Sequence, residues 1–306
     1  MAGDDTAKRI DVTFGAPGDE CAAWWYTPAG VAGPYAAVVM AHGFGGVREA
    51  RLDAFAERFV DAGLAVLVFD YRNFGASSGS PRQVLDIDKQ LADWRAALAY
   101  VRGRADVDAS RVALWGTSFA GGHVLATAAR EPDLAAVVSQ VPFVDGLANL
   151  TYARIRPRTA AGLVAAAVAD SAAALVGLPP VLVPVVGSPG SVAVMTTPDA
   201  LDGYRALVPD PDAFDDRVAA RVVLRVPAYR PGVDAGSIEC PLLVCVADTD
   251  SVASPEAASA VAGRAPLGEL LRYPCGHFDV YVGEWFERAV TDETAFLTRH
   301  LGVANG

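Results

Sequence analysis

Residues 116–122 read GTSFAGG, and the folding of that stretch decides the architecture of the chain. Its first five positions nearly follow G-x-S-x-G, the spacing of a sharp strand-to-helix turn that leaves a serine hydroxyl exposed. Ala120 stands where the second glycine belongs. The flanks supply the context such a turn requires: RVALWGTS (111–118) reads as a buried strand and FAGGHVLATAAR (119–130) as a helix, so Ser118 falls at their junction. A turn this tight forces its serine into a strained conformation, and the positions where helix and strand cross, Gly116 and Ala120, must be small. Alanine adds one methyl, which weakens the match without breaking it. Gly121 and Gly122 keep the start of the helix slim.

The same alternation extends to both sides. YAAVVMAHGF (35–44) is a strand entering a glycine loop, and Leu52, Phe55, Ala56 and Phe59 recur at helical spacing. They predict an amphipathic helix over 49–62 that Gly63 ends. LAVLVFDY (64–71) is the next strand; Ile87, Leu91, Trp94, Leu98 and Val101 mark one face of another helix; AAVVSQVPF (135–143) is a strand. Short β-branched runs alternating with helices predict parallel βαβ units in a doubly wound sheet. After Asp145 the rhythm fails, and residues 147–236 are rich in Ala, Val and Pro without regular alternation. It resumes with CPLLVCVADTD (240–250), a short helix from Pro255, the strand GELLRYP (268–274) and a closing helix that presents Phe286, Val290, Leu297 and Leu301. No internal repeat is visible. The expected organisation is one core in two parts, 1–146 and 237–306, interrupted by a cap or lid over 147–236; an irregular stretch that long is normally functional or a subdomain.

Hydrophobic residues make up 52% of the 306 and charged residues 20%, so the chain can bury a large core. Lys and Arg number 25 against 36 Asp and Glu, a formal net charge of −11. That balance opposes binding to phosphate backbones, no basic cluster offsets it, and nucleic acid is not an expected partner. The amino terminus, MAGDDTAKRI, lacks the basic-then-apolar order of a secretory signal. The most apolar stretch, AAGLVAAAVADSAAALVG (160–177), is mostly alanine, contains Asp170 and runs into Pro179-Pro180. A spanning helix needs about 20 strongly apolar residues, so no membrane span is expected and the stretch should be buried or face substrate. Cys21, Cys240, Cys245 and Cys275 show neither C-x-x-C spacing nor zinc-type histidine partners. They fit reduced thiols packed as small apolar groups in a cytoplasmic protein. G-x-x-x-x-G-K-[ST] is absent and FGASSG (74–79) opens no helix after a tight βα turn, so no nucleotide cradle is visible. No cofactor and no metal are expected. Self-association into a homo-oligomer is left open.

A serine hydroxyl needs a base within hydrogen-bond reach to act as a nucleophile at neutral pH. The chain holds four histidines, His42, His123, His277 and His300. His277 lies in RYPCGHFDVY, after the last predicted strand, which puts it on the same carboxyl edge of the sheet as Ser118. His300 falls in the last turn of the terminal helix as a surface residue, and His123, five residues past Ser118 on a helix, fits a packing role. The imidazole must be held in one tautomer, usually by a carboxylate. ADTDSV, ending the strand 240–247, offers Asp248 and Asp250, and Asp145 follows the preceding strand. An acid a few residues past the strand end can turn back toward His277, which favours Asp250. HGFGG (42–46) follows the first core strand, and its small residues let backbone N–H groups face open space. The expected donors to an oxyanion are the amides of Phe44 and Phe119, with His42 bracing the loop.

Strand-HGFGG, FDYRNFGASSG (69–79), GTSFAGG, ADTDSV and CGHFDVY occur in that order. Together they resemble the α/β-hydrolase superfamily over residues 35–145 and 238–301, and within it the bacterial serine esterases and acyl hydrolases that carry a cap after the sixth strand. The resemblance implies the α/β-hydrolase fold, with Ser118 as nucleophile, Asp250 as acid, His277 as base and an oxyanion hole at Phe44 and Phe119. Two departures stand out: Ala120 in the turn, and Asn73 where related loops often have glycine. Asp70 and Arg72 in that loop are expected to hold it together. The function implied is cleavage of a carboxylic ester or thioester of a small, largely apolar molecule through an acyl-enzyme, its substrate contacts drawn from 147–236. Carbon–carbon bond hydrolysis, acyl transfer and cofactor-free perhydrolysis use the same residues, and a silent binding protein on this scaffold is the non-enzymatic alternative. Arg154, Arg156 and Arg158 alternate at the entrance to the apolar stretch, where a solvated basic edge is the expected reading.

Overall fold

The computed structural model describes residues 8–153, 155–210 and 214–303. Its frame is an eight-stranded sheet built from β1 (Lys8–Ala16), β2 (Asp19–Thr27), β3 (Tyr35–Ala41), β4 (Ala65–Phe69), β5 (Val107–Thr117), β6 (Ala136–Gln140), β9 (Leu242–Ala247) and β10 (Gly268–Tyr273). The spatial order is β1-β2-β4-β3-β5-β6-β9-β10. Strand β2 runs antiparallel to both its neighbours, β1 and β4, and the remaining pairs are parallel. The inner strands β3, β4 and β6 and the second half of β5, from Val112, are largely apolar and buried, as strands covered by helices on both faces must be.

Each helix follows its sequence signals. Helix α1 (Leu52–Asp61) buries Leu52, Phe55, Ala56, Phe59 and Val60, and Gly63 at φ +86° turns the chain out of it. The Asp86 side chain caps α2 (Ile87–Arg102) by accepting the Lys89 amide at 3.1 Å. Helix α3 (Phe119–Ala128) is buried along its whole length. Ser254 caps α7 (Pro255–Arg264), which has proline in its first turn, and Gly302 in the left-handed region ends α8 (Gly283–Leu301). All four cysteines are free and buried.

Two features depart from the expected outline. Residues 8–27 form an antiparallel hairpin at the sheet edge; Ile10, Val12 and Phe14 alternate along β1, a short-period signal unused in the reading above. Strand β5 begins at Val107, four positions ahead of the expected start, with a register shift opposite Tyr35 and Ala37.

Between β6 and β9 lie α4 (Gly146–Tyr152), α5 (Pro157–Leu175), β7 (Leu182–Pro184), α6 (Ala200–Arg205), β8 (Arg217–Ala219) and 3-10 turns over 220–224, 226–228 and 231–237. Strands β7 and β8 pair as a separate ribbon. The apolar stretch 160–177 is largely helix α5, but it is only in part buried. Its buried stripe, Thr159, Leu163, Ala167 and Asp170, packs inward, whereas Val164, Val168, Leu175 and Val176 are 48, 57, 88 and 71% exposed. By length and composition alone α5 is apolar enough to cross a membrane. It is tied into the segment by Asp170, whose carboxylate accepts the amides of Val181 and Arg221 at 2.8 Å each and pairs with the Arg221 guanidinium. Arg156 and Arg158 are exposed, as expected; Arg154 lies outside the described residues.

Candidate active site

Parallel strands put their carboxyl ends on one rim, and the crevice opens where the winding direction reverses. Here that point lies between β3 and β5, with the chain leaving β3 into HGFGG and β5 into Ser118.

Ser118 caps α3 at φ 55°, ψ −117°, a backbone conformation L-residues rarely adopt. Tertiary bonds hold it there: the Ser118 amide donates to Gln140 O at 2.9 Å, and Phe143 N donates to Ser118 O at 2.9 Å. Val141, a β-branched residue at φ 36°, sits beside this contact with its amide on Cys245 O at 2.8 Å, a second strained point that no motif announced. Thr117 below the serine bonds Tyr281 and accepts from Gln140 Nε2. The crowding falls where expected, with one shift. A Cβ on Gly116 would come within 2.6 Å of the Ala120 carbonyl carbon, so it is Gly116 that has no room, while the Ala120 methyl is simply buried. Gly121 and Gly122 are equally closed, by Pro142 and by Phe143 and Pro231.

His277 brings Nε2 to 3.1 Å from Ser118 Oγ and Nδ1 to 2.6 Å from Asp250 Oδ2. Asp250 is itself fixed, since Oδ1 accepts the amides of Val252 and Ala253 at 2.7 and 2.8 Å. A carboxylate can only accept, so Nδ1 carries the proton and Nε2 presents its lone pair to the serine. Chemically, the hydroxyl can pass its proton to the imidazole and leave an alkoxide-like oxygen. The rival acids are engaged elsewhere: Asp248 pairs with Arg272 at 2.7 Å, and Asp145 caps α4 and pairs with Arg230.

The other histidines take the places expected of them. His42 is buried against the edge of Tyr71, with Nδ1 3.0 Å from Gly43 O, and burial pushes its pKa down to about 4. His123 lies between Tyr229 Oη at 2.6 Å and Gln90 Oε1 at 2.9 Å, its pKa driven down to about 3 chiefly by burial. His300 is partly exposed beside Glu269. Among the described residues no three His, Cys, Asp or Glu side chains cluster as a metal site.

The glycine loop touches the serine directly: a Cβ on Gly43 would meet Ser118 Cβ at 3.0 Å and Oγ at 3.5 Å. Phe44 and Phe119 follow these two residues, and their rings meet edge to face at 5.2 Å. Asp70 and Arg72 do structural work. Asp70 accepts the amides of Arg48 and Ala76, and Arg72 grips Asp93 at 2.5 Å and the carbonyls of Pro17 and Lys89. Asn73 adopts φ 71°, which asparagine tolerates better than other L-residues, so it can fill a glycine's place.

Two cavities meet at Ser118. The larger, about 140 Å³, is lined by Phe44, Phe119 and Phe143 and by Leu163, Val194, Val223 and Val226 from the segment between β6 and β9. The smaller, about 30 Å³, is lined by His277, Phe278, Tyr204, Leu207 and Met195. Of these walls, Leu163, Val194, Val223, Val226, Tyr204, Leu207 and Met195 come from 147–236, where substrate contacts were expected, and the rest from the core. Sequence reasoning missed Tyr152, whose hydroxyl donates to the Asp250 carbonyl, and Ser251, whose Oγ lies 2.6 Å from Asp199 Oδ1. Both tie the segment to the acid's loop, across separations that no local pattern reveals.

Residues 36–284 match the family described as the alpha/beta hydrolase fold. The chain is 48% identical over 295 residues to the quorum-quenching protein AidA of Acinetobacter baumannii, covering 96% of each. It is 37% identical over 109 residues to the thiohydrolase aneE of Aspergillus aculeatus, covering 36% of this chain and 34% of that one. The crystal structure of the alpha/beta hydrolase GrgF from Penicillium sp. superposes with a TM-score of 0.79 at 25% identity, over 96% of this chain and 99% of the other. With a family match running from β3 into α8 and the strand order that such a match requires, the chain belongs to the α/β-hydrolase family.

Proposed function

We propose that the protein hydrolyses a carboxylic ester or thioester with a largely apolar acyl group, through an acyl-enzyme on Ser118. The observation that carries this reading is the relay from Ser118 Oγ to His277 Nε2 at 3.1 Å and from His277 Nδ1 to Asp250 at 2.6 Å, on a serine held at φ 55°. In acylation Oγ bonds to the carbonyl carbon as its proton passes to Nε2, and the oxyanion is met by the amides of Phe44 and Phe119. The tetrahedral intermediate collapses with cleavage of the bond to the leaving oxygen or sulfur, which takes the proton from Nε2. Water then attacks the acyl-enzyme, giving its proton to Nε2; the acid departs as Oγ recovers a proton. Residues 147–236 act as the cap, supplying the apolar wall of the larger cavity. The thiohydrolase aneE lends support, since its name is that of a hydrolase acting at sulfur.

The test is covalent labelling by a fluorophosphonate, paired with hydrolysis of ethyl hexanoate. Ser118→Ala should abolish both while leaving the fold intact. Labelling that persists in the variant puts the nucleophile elsewhere.

A further inference from the structure

We infer that the enzyme sorts its substrates by leaving group, favouring a small alcohol or thiol beside His277, and that Met195 is the residue that sets this limit. The inference rests on the reading of Ser118 as nucleophile. In the tetrahedral intermediate four groups surround the former carbonyl carbon: Oγ, the oxyanion, the acyl chain and the leaving group. His277 Nε2 must hand its proton to the leaving atom, within hydrogen-bond reach of about 2.6–3.2 Å. The leaving group therefore occupies the side of Ser118 that His277 walls, and the acyl chain takes the other. His277 walls the smaller cavity and is not among the residues lining the larger, which Phe119 and Phe143 wall.

The two spaces differ greatly in size. The space beside His277 measures about 30 Å³ and the other about 140 Å³, so the acyl side has several times the room of the leaving-group side. The small cavity's wall is also stiff. A Cβ on Gly203 would lie 2.7 Å from Phe278 Cβ, so helix α6 sits directly on the residue after His277. Tyr204, fully buried, donates to Phe44 O at 3.2 Å and ties the same wall to the glycine loop. Met195 borders both cavities, as Phe44 and Ser118 do, and of the three it is the flexible, half-buried side chain.

The experiment uses two ester series on the full chain, followed by acid release. Along ethyl esters from acetate to octanoate, kcat/KM should rise about fourfold per added CH₂ until the larger cavity is full. Along hexanoate esters from methyl to hexyl, it should fall by about tenfold or more between ethyl and butyl, because each surplus methylene must displace packed wall. S-ethyl thiohexanoate should likewise outrun hexanoyl-coenzyme A. Met195→Ala should raise the butyl-to-ethyl ratio by about tenfold, and Leu207→Ala should move it in the same direction. An enzyme that labels at Ser118 and hydrolyses esters, yet turns over butyl and hexyl hexanoate as fast as ethyl or prefers them, overturns the inference and spares the nucleophile. Loss of Ser118 without effect on hydrolysis overturns both.

Discussion

Replacing Glu293 with glutamine should stabilise the protein, and by more the higher the pH. Glu293 on α8 is fully buried beside Cys245; Trp115 Nε1 donates to its Oε2 at 2.8 Å, and Oε1 is buried with no nitrogen or oxygen partner among the described residues. Burial drives its pKa from 4.5 up to about 8. A raised folded-state value means the native protein holds a proton that the unfolded chain releases. This group's contribution to stability is therefore fully present below pH 4.5 and is lost as pH rises through 8. At about 1.4 kcal/mol per pH unit, the loss is on the order of several kcal/mol. Glutamine keeps the acceptor for Trp115 and has no proton to lose. Urea unfolding at several pH values between 5 and 9 reads the effect as the gap in midpoint between variant and wild type at constant slope. Other titrating groups, including His42, His123 and the buried Asp93 with its pKa raised to about 6, are common to both proteins and cancel in the difference. The gap should widen by about 1.4 kcal/mol per pH unit toward pH 8 and then level off. A gap that is flat with pH, or that narrows, refutes a protonated Glu293.

Asp250→Asn should lower kcat by about 10⁴ by favouring the wrong imidazole tautomer, whereas Asp248→Asn, which breaks only the pair with Arg272, should leave steady-state rates nearly unchanged. Gly116→Ala should cost several kcal/mol and most of the activity, because its Cβ collides with helix α3. Ala120→Gly should keep the activity and cost about 1 kcal/mol in thermal unfolding as a glycine inside a helix. At Asn73, glycine should be tolerated better than alanine. Both lose the bond from Nδ2 to Pro81 O, but only alanine also pays for φ 71°; equal losses would refute the conformational argument.

What could be read in the sequence was whatever local rules decide. The parallel strands are short apolar runs because helices bury both faces, and α1 and α8 show a face because one side meets water. Ser118 and His277 were legible because strand ends alone put them on one rim. Spacing left Asp250 and Asp248 close rivals, since both follow β9; the choice is made by a turn in which Val252 and Ala253 offer their amides to one carboxylate, while Arg272 takes the other. Helix α5 shows where such reading stops. An alanine-rich helix that is apolar all round has no periodicity from which to pick its buried side. Its side is chosen by Asp170, which must face Arg221, 51 positions later, and the amide of Val181. That pairing turns Leu163 toward the cavity beside Ser118 and leaves Val164 and Val168 in water. The apolar wall of the candidate site is thus set by a half-buried ion pair between two parts of the irregular segment. A change at Asp170 should move substrate preference without touching any group near the reacting carbon. Asp170→Asn keeps the shape but weakens the hold on Arg221, and should flatten the acyl-chain dependence of kcat/KM more than it lowers the rate on ethyl acetate. A parallel loss on every chain length would mean the helix does not shape the pocket.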